Sequence, residues 1–207
     1  MIIAIDGPAA SGKGTLGKRL AEHFGFAHLD TGLLYRAVAR ILLDRNVSLT
    51  DQDAAHEVAL SLDAAHLDES RLRGAEMGEA ASVISAYQPV RDALMAFQRG
   101  FADQPPGAVL DGRDIGTVVC PHAHMKLFIT ATPEERARRR HRELVNRGAA
   151  PEYETILQDI RRRDERDMSR SSAPLKPAQD AILLDTTDLD ADAAFAVALR
   201  MVESRRG

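Results

Sequence analysis

Tryptophan is absent and aromatic residues make up only 4% of the chain, which removes the stacking platforms that hold single-stranded nucleic acid. Cysteine occurs once, at Cys120, so no internal disulfide can form and a reducing compartment is expected. No apolar run approaches the roughly 20 residues that a membrane-spanning helix needs. The N-terminus has no basic region ahead of its first apolar run, leaving no room for a secretion signal. Neither sign of charge dominates. Against 31 acidic residues stand 27 Lys and Arg, a formal net charge of -4 that argues against a general nucleic-acid binder. These absences predict a cytoplasmic protein that works on small molecules, without a nucleic-acid or membrane partner. With no internal repeat and no linker, its 207 residues form one domain.

What is present is organised around Gly7-Pro8-Ala9-Ala10-Ser11-Gly12-Lys13-Gly14-Thr15. The apolar residues 1–5 precede it and the amphipathic residues 16–24 follow. A buried strand, a glycine-rich turn and a helix are the setting in which the phosphate-loop pattern carries meaning. Glycine lets the backbone curl so that several N–H groups converge on one anion. The helix N-terminus adds partial positive charge and Lys13 a full one, so a triphosphate tail is the ligand this stretch suits. The generic pattern places Ser or Thr directly after the lysine, to hold magnesium. Here Gly14 takes that position and Thr15 follows. No Asn-Lys-x-Asp guanine-reading pattern occurs, which disfavours a GTP switch.

Further along, residues 26–29 form a short strand ending at Asp30-Thr31-Gly32, turn and N-cap chemistry that opens a helix over 33–43. Arg36 and Arg40 share one face of it. Arg40 reads as solvated; for Arg36 a ligand role and a solvated one stand even. Residues 46–79 are polar with weak helical periodicity, and 63–78, with few large apolar side chains, reads as a peripheral elaboration outside the core. A short helix or turn covers 80–85, and Pro89 starts a helix through 98. The strand 108–110 runs into Asp111-Gly112-Arg113-Asp114, and a carboxylate at such a strand end suits a magnesium-associated role in phosphate-loop enzymes. Residues 125–129 are the next strand.

Thr132 caps a helix whose body is Arg136-Ala137-Arg138-Arg139-Arg140-His141-Arg142, ended by Gly148. Pro151 begins a second helix that runs to Asp167. Two arginine-rich helices joined by a tight turn form a movable basic arm suited to folding over phosphates. The strand 181–186 and the helix 190–204 close the chain. His28, His122, His124 and Cys120 receive no chemical role. Strands alternating with helices specify an α/β fold: a P-loop NTPase-type parallel sheet flanked by helices, with the ligand at the strand C-termini. The expected layout is a core (1–44, 86–133 and 171–207), a flap (45–85) and a mobile lid (134–170).

Four stretches, in order along the chain, resemble the bacterial cytidylate kinase, or (d)CMP kinase, family of P-loop nucleoside monophosphate kinases. They are Ile5-Asp6-Gly7-Pro8 through Thr15, Leu29-Asp30-Thr31-Gly32 through Tyr35-Arg36, Leu110-Asp111-Gly112-Arg113-Asp114-Ile115-Gly116-Thr117, and Arg163-Asp164-Glu165-Arg166-Asp167-Met168-Ser169-Arg170 leading into Ala173-Pro174-Leu175. The Gly-Lys-Gly-Thr ending of the loop is likewise that of the small nucleotide kinases. The longer bacterial members carry a β-rich insert in the CMP-binding flap, and residues 63–78 are much shorter.

The resemblance implies transfer of the γ-phosphoryl group of ATP to CMP or dCMP, assisted by Mg²⁺, by a monomeric enzyme. Residues 7–15 take the ATP phosphates. Thr31 stands near the bound CMP. Arg36, Arg113 and Arg163 match the arginines on the acceptor phosphate. Ser82, Arg91 and Asp114 match the residues that read the cytosine edge, and Asp167 and Arg170 the pair on the sugar hydroxyls. Lys13, Arg113, Asp111 and the arm residues Arg139 and Arg140 are the catalytic candidates, with Thr15 and, through water, Asp111 at the metal. The alternatives are another small-acceptor kinase (for UMP, AMP or shikimate), a non-catalytic nucleotide-binding regulator and, more distantly, an RNA-binding protein.

Overall fold

The structure is a computed structural model that describes residues 1–64, 66–72 and 74–206. In chain order its elements are β1 (Ile2–Asp6), α1 (Lys13–Phe24), β2 (Ala27–Asp30), α2 (Gly32–Asp44), α3 (Gln52–Leu60), α4 (Ala75–Ile84), α5 (Gln88–Ala102), β3 (Ala108–Gly112), β4 (Met125–Thr130), α6 (Pro133–Asn146), α7 (Tyr153–Ser169), β5 (Ile182–Asp185) and α8 (Ala191–Arg206). The strands form one sheet in the order β2-β3-β1-β4-β5, every pair parallel. The central strands are covered on both faces, which is why their apolar runs are continuous and not alternating. The register sets Asp6 beside Gly112 and Phe128, and Asp30 beside Asp111, so the carboxylates gather along one edge.

On one face, Leu16, Leu20 and Ala21 of α1 pack with Ala198 and Val202 of α8 against Ile3, Ile5 and Leu127. The other face buries Leu110 against Ile115 and Ala102. A third cluster joins α2, α3, α4 and α5 through Leu34, Val38, Val58, Met77, Ile84 and Leu94.

Residues 63–78 are not peripheral to this packing. Leu72, ending a single 3₁₀ turn over Glu69–Leu72, and Met77 in α4 are each 4% exposed. Leu72 comes from a single turn too brief to show a period, and α4, which carries Met77, is built mostly of small residues. The sequence expectation of a helix or turn over 80–85 falls inside α4, and a helix, α3, occupies part of the weakly periodic stretch.

α6 and α7 form an antiparallel pair with a small core of its own, Ala137, Ile156, Leu157 and Ile160, against which Ala10 of the glycine-rich loop also packs. Among the described residues no helix is long and apolar enough to cross a membrane.

Candidate active site

Where β1 ends, Gly7 has φ 157°, and a Cβ there would lie 2.1 Å from the Ile129 carbonyl oxygen. Only glycine lets the loop leave the sheet this close to β4. Gly12, at φ 88°, then opens α1 with no side-chain cap, so the first-turn N–H groups are available to an anion. Lys13 Nζ donates to the Pro8 carbonyl oxygen at 3.3 Å. Burial, then the positive field of Arg113, pulls the lysine down to about 7, against the opposing pull of Asp111 and Asp30. Negative charge brought beside the ammonium would offset both effects.

From the loop a cleft of about 1320 Å³ runs across the strand ends to a second cluster of charges, lined among others by Thr15, Thr31, Arg36, Arg113, Asp114 and Arg163. Arg113 Nε donates to Asp167 Oδ2 at 2.8 Å, and Arg163 Nε stands 4.0 Å from the same oxygen. Burial and then Arg113, with Arg36 also contributing, lower Arg163 to about 10, the mark of guanidinium groups crowded around one place. Burial raises Asp167, but Arg113 and Arg163 outweigh it and hold the carboxyl below its usual range. Ser82 Oγ sits 3.3 Å from Asp167 Oδ1, behind the cleft lining. Arg91 is bonded to Asp114, and Arg170 Nη2 lies 3.9 Å from Asp114 Oδ1. Arg163 Nε and Arg170 Nη2 are buried without a hydrogen bond. Buried unsatisfied donors are costly, and their convergence here calls for an anionic or hydroxylated ligand.

Asp111 is almost fully buried, with Oδ2 held at 2.8 Å from His28 Nε2. The Thr31 hydroxyl donates to the Asp111 carbonyl oxygen at 2.9 Å, locking β2 to β3 at the cleft floor. Arg36 and Arg40, neighbours on one helix face, have parted company: Arg36 lines the cleft while Arg40 is paired with Asp44.

The arginines of α6 divide into distinct environments. Arg139 is tied to backbone, Nη1 reaching Ser11 O at 3.4 Å and Thr186 Oγ1 at 3.0 Å, with Nη2 on the Thr186 carbonyl. Arg140 pairs with Glu143 at 2.7 Å. Both border the cleft. In this arrangement Arg139 clasps the loop from the lid side.

A family model described as cytidylate kinase matches residues 3–204. The chain belongs to the cytidylate kinase family. It is 62% identical over 206 residues to a cytidylate kinase of Xanthobacter autotrophicus, covering 100% of this chain and 99% of the relative. To a cytidylate kinase of Methylocella silvestris it is 61% identical over 204 residues, covering 99% and 94%. Among solved structures, an uncharacterized protein from Eubacterium ventriosum shares the fold, with a TM-score of 0.56 at 17% identity over 99% of this chain and 98% of that one.

Four residues of this cytidylate kinase family member carry positions that sequence reasoning left without a role. His28 pins Asp111; the only available signal was its spacing of two from Asp30, which sets both on one face of β2. Arg136 is indistinguishable from its neighbours in the arginine run, yet it is 3% exposed. Its guanidinium spans Ala9 O at 3.1 Å and both Asp164 oxygens at 3.0 and 2.5 Å, joining lid helices to loop. Thr186 bridges Ser11 O and Thr130 O. Asp6, in the last register position of β1, accepts N–H bonds from Ile115 and Gly116; burial pushes it up to about 7 against the pull of those two bonds.

Proposed function

We infer that this chain transfers the γ-phosphoryl group of ATP to CMP or dCMP, giving ADP and CDP or dCDP. The observation that carries this reading is that one cleft is lined by two separate groups of positive charge, the Lys13 loop and the Arg36, Arg113 and Arg163 cluster. A regulatory switch has no use for the second.

The acceptor is already an oxyanion, so the chemistry needs no general base; the difficulty is holding two polyanions together. Loop N–H groups and Lys13 hold the donor's β and γ phosphates. Arg36, Arg113 and Arg163 grip the acceptor phosphate, their planar forks matching its oxygens. Thr15 and Asp111 present hard oxygen donors of the kind magnesium takes alongside substrate phosphates. They would hold that ion, Asp111 through water, and the ion supplies positive charge to the phosphates. Residues 134–170 act as a lid that excludes water from the transferring group, with Arg139 and Arg140 covering its charge once a donor has displaced the clasp on the loop. Residues 45–85 serve as the flap over CMP.

Cytosine offers an N4 amine beside the N3 and O2 acceptors. The Asp114 carboxylate takes the amine, and a guanidinium, Arg91 with Ser82 nearby, meets the acceptors. Uracil presents a carbonyl to the same carboxylate and is repelled. Asp167 and Arg170 face the sugar hydroxyls, and Thr31 lies beside the base-proximal cleft floor. The enzyme works as a cytoplasmic monomer on small nucleotides, without a nucleic-acid partner. A coupled ADP-release assay with CMP, dCMP, UMP, AMP and shikimate as acceptors tests the reading: fast turnover on the first two supports it, and turnover only on another acceptor, or on none, refutes it.

A further inference from the structure

The Asp114 carboxylate is aimed by a short turn whose own anchor lies on a different strand. From Ile115 to Val119 the chain makes one wide turn, with Cys120 N donating to Ile115 O at 2.7 Å and Val119 N to Asp114 O at 3.1 Å. Such i→i+5 turns are rare and concentrate at functional sites. Val118 N also donates to Asp114 O, at 2.8 Å, so the carbonyl of Asp114 is fixed from within the turn. The two N–H groups that follow Asp114 are fixed from outside it: Ile115 N meets Asp6 Oδ1 at 2.7 Å and Gly116 N meets Asp6 Oδ2 at 2.8 Å.

A carboxylate is the short side chain able to accept both bonds at once; an amide offers one acceptor and turns its own donors on the other N–H. The approach is close. A Cβ on Gly116 would lie 3.3 Å from Asp6 Oδ2 and 3.1 Å from Lys126 Cδ, and Lys126 is itself held by Pro121 O and Asp180. Although Asp6 directly precedes the glycine-rich loop, both of its carboxylate oxygens are committed to the turn that follows Asp114.

We propose that Asp6 is a positioning residue for acceptor selectivity, holding the turn that aims Asp114 at the base edge. This rests on the reading of Asp114 as the group that meets cytosine. The loop and Lys13 keep their own supports, so loosening the turn affects the acceptor base and spares the donor.

The test is steady-state kinetics on full-length Asp6→Asn, Gly116→Ala and Asp114→Ala, with CMP and UMP as acceptors, ATP as donor and thermal melts alongside. Loss of one satisfied buried N–H is expected to raise KM for CMP about tenfold and to cut the CMP over UMP ratio of kcat/KM by a similar factor in Asp6→Asn. KM for ATP stays within about twofold in the same variant, since the donor loop keeps its bonds. Gly116→Ala, which crowds the same contact without touching the carboxylate, shifts the ratio in the same direction, and it decides the matter should Asp6→Asn fail to fold. A folded variant pair with the wild-type ratio, beside an Asp114→Ala that loses it, overturns the role of Asp6. Equal rises in KM for ATP and CMP at an unchanged ratio mark a general structural role and overturn it too. An unchanged ratio in Asp114→Ala overturns the reading of the base site, and this inference with it.

Discussion

Lys13 carries a stability cost that its removal exposes. Its ammonium is pulled from its ordinary 10.5 to about 7, first by burial and next by Arg113. A lysine depressed in the folded state binds fewer protons than the unfolded chain between those two values, so folding stability rises with pH across that window. At about 1.36 kcal/mol per unit the full cost is on the order of 5 kcal/mol, present below pH 7 and gone above 10.5. Lys13→Met keeps the stem and discards the charge. Urea unfolding of both ligand-free proteins at pH 7, 8 and 9 measures the effect. The variant is expected to be the more stable at pH 7, with wild type closing the gap by about 1.4 kcal/mol per pH unit. Saturating ATP reverses the order, because the phosphates restore the charged form in wild type alone. Turnover of the variant falls by about a thousandfold or more. Parallel pH curves for the two ligand-free proteins would refute the reasoning, for they would mean an ammonium at ease in water.

Two further pairs of substitutions separate close contact from backbone conformation and ion pairing from packing. Gly7→Ala drives a Cβ onto Ile129 O and is expected to cost about 2–3 kcal/mol and most nucleotide affinity. Gly25→Ala, at φ 66° with nothing within 4 Å, costs about 1 kcal/mol and leaves binding intact; calorimetry with ATP distinguishes the two. Arg136→Met strands the Asp164 carboxylate in the lid and loses about 3–5 kcal/mol, while adding Asp164→Leu recovers much of it, read by urea midpoints.

The half of the site around the loop was legible in the residues themselves, because a strand, a glycine turn and a helix are contiguous and their chemistry is local. β3 and β4 were equally plain, being apolar runs buried on both faces. Arg36, Arg113 and Arg163 were singled out as a set only through family resemblance: they come from three separate elements, and no local period unites them. Arg136 escaped because burial is conferred by Asp164, 28 residues away on the other lid helix, and not by anything in the run Arg138-Arg139-Arg140 beside it. Arg139 was expected on the transferring phosphoryl group and is found gripping Ser11 and Thr186 carbonyls, a partnership set by how β5 meets the loop. Asp6 and His28 are single polar residues of β1 and β2 whose partners lie on β3 or in the turn after it, so their roles follow from strand order. Leu72 and Met77 were missed for a different reason: Leu72 is the one apolar residue of a single turn, and Met77 is among the few large apolar residues in a helix of mostly small ones.

The central claim is that a triphosphate loop faces an acceptor site that reads cytosine through Asp114. The most direct measurement is the ratio of kcat/KM for CMP over UMP in wild type and in Asp114→Ala. A strong CMP preference is expected in the first and a loss of about a hundredfold in the second, with KM for ATP unmoved. A ratio that survives the substitution would contradict it.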